Sequence, residues 1–221
     1  MMEKFKKYQV LASLFVALFV VNFSFVLTCM NKRVFNSIEY SYQPSKEDEL
    51  NGYELSDFQA EIIYSQLVDG FTSFFDDGYE IAGYKLSQPN TDKLNQLKGY
   101  YRLAYFISIA CVIGIFVCFS FLSRRRELKP IAYGSALAFF LLAVSVLFVF
   151  LSKKGTALAV KNMILKKDYS FFSREDVLGV LFTGNYALYM LFCQVVTALI
   201  LVLIINAVRA MIIYMGRPHK F

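Results

Sequence analysis

Two polar stretches, each running into a long apolar segment, hold the residues whose types could do chemistry: Asp92, Lys93, Lys98 and Arg102 in the first, and Lys161, Asp168 and Asp176 in the second. Cations at the rim of a membrane can hold a lipid headgroup or a lipidated peptide, and a carboxylate beside them can orient a proton-transfer group. A lysine serves as a general base only where burial or a like charge favours its neutral amine. If the two stretches meet over the apolar segments, they form a polar site at headgroup depth. The alternative is a set of snorkelling anchors and rim charges. Other chemistries find no residues: there is no P-loop, no GxGxxG opening a helix, no GxSxG and no HExxH, and the only histidine is His219, near the end of the sequence. Imidazole catalysis at such a site is therefore excluded for a monomer. Cys29, Cys111, Cys118 and Cys193 each lie inside or at the end of an apolar run, which suggests small buried hydrophobes and neither a disulfide framework nor a metal site. No cofactor is expected.

The elements that must position these groups follow from how the apolar residues are distributed. Of 221 residues 57% are hydrophobic, the mean hydropathy is +0.48, and the apolar content comes in long runs. That excludes a water-soluble fold and implies an all-α membrane protein, one membrane domain over residues 1–221. Four membrane helices are expected at 8–30, 103–122, 131–151 and 186–207. Between helices 1 and 2 lies an outer loop, 31–102, forming a helical extracytoplasmic domain; between helices 3 and 4 lies a second outer loop, 152–185, with an amphipathic interfacial segment, 157–167. The first run is too long for an ordinary signal peptide, and Thr28 stands where a lipobox wants Gly, Ala or Ser before Cys29, so the helix is read as uncleaved.

Within the first loop, Ser56 reads as the N-cap of a helix whose Phe58, Ile62, Ile63, Gln66 and Leu67 recur at helical spacing, with Gly70 as its end. Phe71, Phe74 and Phe75 would then dip into the interface or the bundle. A further helical start at Thr91 leads through Leu94, Leu97 and Lys98 into the second membrane helix. Pro130 opens the third run just after Arg124, Arg125, Arg126 and Lys129, so helices 2 and 3 form an antiparallel hairpin.

The net charge of +6 reflects topology and not nucleic acid, because lysine and arginine concentrate where helices leave the membrane. Lys4, Lys6 and Lys7, the Arg124–Lys129 turn, and Arg209, Arg217 and Lys220 place both termini in the cytoplasm of a cell-membrane protein. The second loop is also basic, facing anionic headgroups. No run has a charge near its middle, which argues against a proton-coupled transporter or a channel. Asn206 and Arg209 read as helix–helix and interface contacts. The 23 phenylalanines leave open a partner membrane protein packed on apolar faces.

In layout the chain resembles the lipoprotein intramolecular transacylases, four-helix membrane proteins of Gram-positive bacteria. The stretches that carry the resemblance are Val160-Lys-Asn-Met-Ile-Leu-Lys-Lys-Asp168, then Asp176-Val-Leu-Gly-Val-Leu-Phe182, and Thr91-Asp-Lys-Leu-Asn-Gln-Leu-Lys98 ahead of the second membrane helix. Where the family's pattern has histidines, this chain has Lys93 and Lys161, and it has no tryptophan; Asp168 and Asp176 remain. The resemblance implies an acyl migration from the diacylglyceryl group of a lipoprotein to the amino group of its N-terminal cysteine. It implies Lys93, Lys161 and Asp168 as catalytic residues, and Asp92, Lys98, Arg102 and Asp176 as residues that bind substrate. Membrane lipid and a lipoprotein N-terminus are then the partners. The other reading is a non-catalytic relative that binds lipid or lipoprotein, or a subunit of a membrane complex.

Overall fold

The computed structural model describes residues 2–31, 57–74, 79, 81, 83–122, 128–151, 172, 177–181 and 184–215. Among the described residues the elements are six helices: α1 (Met2–Met30), α2 (Asp57–Thr72), α3 (Gln88–Leu122), α4 (Lys129–Leu151), α5 (Val177–Leu181) and α6 (Gly184–Met215). Four of these, α1, α3, α4 and α6, are long and apolar enough to cross a membrane, so the chain is an all-helical integral membrane protein. Residues 157–167, expected to form the amphipathic segment, lie outside the described residues.

Helix α3 is longer than any bilayer requires. Its 35 residues rise roughly 52 Å at 1.5 Å each, against about 30 Å of hydrocarbon, so its polar first turns must stand clear of the apolar layer. The helix starts one turn before Thr91, where the sequence suggested. The Ser87 carbonyl accepts from the Asn90 amide (3.1 Å), the Thr91 amide (3.0 Å) and the Thr91 hydroxyl (3.1 Å), and Pro89 sits in the first turn, where no amide is needed. Helix α2 likewise runs past Gly70, its expected end, to Thr72. There the Thr72 hydroxyl donates to the Val68 carbonyl (2.8 Å) and the Ser73 amide to that of Asp69 (3.0 Å). A glycine stops a helix where the chain turns left-handed, and among the described residues the left-handed glycine is Gly83, with φ of 85°.

The chain divides into two compact units, with α1, α3, α4 and α6 each contributing residues to both. The first unit comprises residues 1–25, 104–146 and 195–221. Alanines at the contact let its helices pack: Ala17 and Val20 of α1, Ala138 and Leu142 of α4, and Ala198 and Val202 of α6 are buried together. A second cluster joins Ala12 of α1 to Cys118 and Leu122 of α3, and Tyr8 stacks on Phe121 at 4.7 Å between centroids. Neighbouring helices crowd two glycines. A Cβ at Gly134 would come within 2.6 Å of Val16 Cβ and 2.7 Å of the Ser13 carbonyl, and one at Gly114 within 2.7 Å of the Phe15 ring. Such contacts suit helices in lipid, where association depends on close packing and not on water release. Large apolar side chains of α3, α4 and α6, among them Phe116, Phe140 and Leu203, point away from the protein.

The second unit comprises residues 26–103 and 147–194, and its core includes large apolar side chains. Ile63, Tyr64, Leu67 and Val68 of α2 pack with Ile81, Leu94 of α3, Phe172, and Val177 and Leu178 of α5. The buried face of α2 is thus narrower than its spacing suggested. Ile63 and Leu67 face inward, whereas Phe58 and Ile62 are exposed.

Candidate functional site

The polar start of α3 carries four of the seven candidate residues, and they have distinct environments. Asp92 is exposed and accepts from Gln88 Nε2 at 3.0 Å across one turn. Lys93 is half-buried. Lys98 is buried to 1% exposure, with its ammonium 5.4 Å from the centre of the Tyr79 ring. Arg102, half-buried, donates from Nη2 to the Phe74 carbonyl at 2.8 Å. The remaining three, Lys161, Asp168 and Asp176, lie outside the described residues.

Helical spacing sorts the α3 groups. Lys98 and Arg102 are four apart and share a face with Leu94, while Lys93 is about 140° of helical rotation from Lys98. The face holding Lys98 is the one that packs into the second unit, since Leu94 belongs to its core. A lysine that snorkels keeps its ammonium in water, and Lys98 does not. The ring of Tyr79 beneath it offers the negative face of its quadrupole. Tyr79 is held in turn by its hydroxyl, which donates to the Leu94 carbonyl at 3.2 Å.

The exit of α2 is secured to the same turns. Tyr101, buried to 1%, packs between Phe71 (centroids 5.3 Å apart) and Phe74 (6.0 Å), and Arg102 takes the carbonyl of Phe74. The sequence placed Phe71 and Phe74 in an interface or bundle, and their ring partner is Tyr101. Tyr79 and Tyr101 went unremarked in the sequence because neither stands in a motif: the chain has 15 tyrosines, and only contacts separate these two from the rest.

The second polar stretch reaches the same place through its flanks. Val177, the residue after Asp176, is fully buried in a cluster with Leu94, together with Leu178 and Phe172. The two stretches therefore share one core within one unit, one turn from Lys98. Chemically, this arrangement brings a buried ammonium and a guanidinium together on one helix face, suited to anionic or carbonyl oxygen. Among the described residues no cluster of histidine, cysteine and carboxylate could hold a metal ion.

Four helices long and apolar enough to cross a membrane, with the shorter α2 between the first two, form a fold already known among solved membrane proteins. The chain is similar in structure to the membrane integral lipoprotein intramolecular transacylase Lit from Bacillus cereus, with a TM-score of 0.70 and 12% identity over 98% of this chain and all of that one. Two Lit variants, in which one histidine is replaced by arginine or by alanine, match with TM-scores of 0.77 over 97% of this chain and 94% and 96% of theirs, again at 12% identity. No family model matches the sequence, and no curated protein matches it either. The likeness is thus one of fold.

Proposed function

We propose that this protein is a divergent transacylase of the Lit type, acting on the N-terminus of a bacterial lipoprotein. The observation that carries the reading is a likeness of fold extending over 97–98% of the chain, outer unit included, and not only over a set of membrane helices. In the reaction, the α-amino nitrogen of the lipidated cysteine attacks an ester carbonyl of its own diacylglyceryl group. The new C–N bond forms, the C–O bond to glycerol breaks, and the proton leaving nitrogen ends on the glycerol oxygen. The products are an amide and a lyso-glyceryl thioether.

Such a transfer needs a base for the ammonium, a donor for the oxyanion and a fixed orientation of the ester. In this reading Lys93 and Lys161 supply the base, Asp168 orients it, and Asp92, Lys98, Arg102 and Asp176 hold the substrate's polar end. Burial of Lys98 beside Arg102 supports a role in receiving negative charge. Both termini lie in the cytoplasm and residues 31–102 and 152–185 face outward, as the basic helix ends suggest. Membrane lipid surrounds the site.

A second reading, a non-catalytic protein that binds lipid or lipoprotein in the same fold, is favoured by one observation. The only histidine is His219, beyond the last residue of α6. The two readings separate in a bacterium whose lipoproteins carry only the diacylglyceryl group. Expression of the wild-type chain should convert N-terminal peptides to the N-acyl, lyso-glyceryl form, read by mass spectrometry, and the Lys93→Ala, Lys161→Ala double variant should not. Unchanged diacyl peptides beside membrane-inserted wild-type protein would overturn the catalytic reading.

A further inference from the structure

Tyr79 meets the turn of α3 that bears Lys98 at two places. Its ring centre lies 5.4 Å from the Lys98 ammonium, and its hydroxyl donates to the Leu94 carbonyl at 3.2 Å. Within a helix the Leu94 carbonyl also accepts the backbone amide of Lys98, four residues on, and a carbonyl oxygen has two lone pairs to serve both donors. One tyrosine therefore spans the whole turn, from the backbone at the root of Lys98 to the charge at its tip.

The chain that follows Tyr79 sets its approach. Ile81 is buried in the core of the second unit, and Tyr79, Tyr84 and Leu86 pack against that core. The Tyr84 amide donates to the Ile81 carbonyl at 3.0 Å, closing a turn in which Gly83 has a φ of 85°. A Cβ at Gly83 would meet nothing within 4 Å, so the backbone angle and not crowding favours glycine there. Core contacts on both sides of this turn hold the segment in place. The ring is thus supported by the fold independently of the lysine, and a ring supported in that way can serve as a fixed rest for a cation.

A hydrogen-bond donor to a developing oxyanion is worth most where water is excluded and its position is fixed in advance. Burial to 1% exposure meets the first condition for Lys98. The second is harder for a lysine, whose ammonium rides on a flexible four-carbon stem. On the transacylase reading, from which this follows, we propose that Tyr79 is a positioning residue: its ring and hydroxyl fix the Lys98 ammonium as the donor that meets the oxyanion of the migrating ester. The ring attracts the charge without neutralising it, as a carboxylate would. Lys98 keeps its protons throughout, and Tyr79 touches no reacting atom.

The test uses the full-length protein in phospholipid vesicles with a synthetic diacylglyceryl-cysteine peptide, the N-acyl product being followed by mass spectrometry to give kcat and KM. Tyr79→Leu should lower kcat about tenfold with KM changed less than about twofold, and Tyr79→Phe, which keeps the ring, should recover all but about threefold. In a Lys98→Met background Tyr79→Leu should cost less than about twofold, because a residue that acts through Lys98 then has nothing to position. A tenfold loss in that background, or a loss confined to KM, would overturn the proposal. Should a variant fail to fold, or Lys98→Met leave no measurable rate, trifluorophenylalanine at position 79 is compared with phenylalanine there. Fluorine drains the negative face of the ring and leaves its shape, so a further fall in kcat supports the proposal and equal rates refute it. A wild-type chain that converts no peptide removes the transacylase reading and this role with it, whereas an active wild type with an equally active Tyr79→Leu variant removes this role alone.

Discussion

The two units of this protein solve the same problem, holding helices together, with opposite materials. The first unit has ten cations against two carboxylates, buries alanine, valine, cysteine and leucine, and packs neighbouring helices against Gly114 and Gly134. The second has thirteen cations against fifteen carboxylates and buries isoleucine, phenylalanine and tyrosine beside leucine and valine. Where lipid surrounds the helices, moving a large side chain inward gains little, so contact comes from shape and from close approach. In water, removing large apolar surface is itself the driving force. The difference teaches that a glycine or a buried charge has to be valued by its surroundings and not by its type.

Glycine substitutions test that contrast most severely. Gly134→Leu should be the most damaging change, because the added atoms meet Val16 and the Ser13 backbone, neither of which can step aside. Overpacking of this kind costs about 3 kcal/mol or more, and loss of the thermal transition in detergent would show it. Gly99→Ala, on α3 within the second unit, meets nothing within 4 Å and should be neutral or stabilise by up to about 1 kcal/mol. Equal damage at both positions would abolish the distinction.

Buried charge provides the next test. Lys98→Ala removes a fully buried side chain and its contact with Tyr79, and should lower stability by roughly 2 kcal/mol, with the loss seen as faster hydrogen exchange in α2 and the start of α3. Arg102→Gln takes away the charged donor to Phe74 and should cost about 1.5 kcal/mol, measured as increased proteolysis after α2. Lys93→Ala, at a half-buried position, should cost less than either while bearing on the proposed acyl transfer. The smallest loss belongs to the membrane hydrogen bond: Asn206→Ala should cost about 0.6 kcal/mol by thermal midpoint, since polar contacts between helices in lipid are weak on average. A larger loss would show that Asn206 and Ser135 hold the α4–α6 pair more firmly than packing does.

How far the site could be read in advance depended on the kind of signal. Apolar length located the spanning helices, and the polar start of α3 was visible because Thr91 and Asp92 open a helical pattern that runs into Leu103. The start itself moved to Gln88 because a proline fits the first turn and the Ser87 carbonyl takes three donors. Gly70 read as a stop, but nothing in composition distinguishes a helical glycine from a terminating one. Lys93 and Lys98 read alike as rim lysines; five residues of spacing put them on different faces, and only packing showed that the face of Leu94 and Lys98 is the inner one. Tyr79 and Tyr101 carried no signal, since aromatic contacts 15 or 30 residues apart leave no periodic trace.

By itself the sequence determined the class of protein, the spanning segments and the segregation of charge, because each follows from the cost of placing polar groups in hydrocarbon, a cost paid locally along the chain. Which cations are buried and which rings they meet was decided only by tertiary structure. Those properties depend on contacts between residues distant in the chain, and no local pattern encodes them.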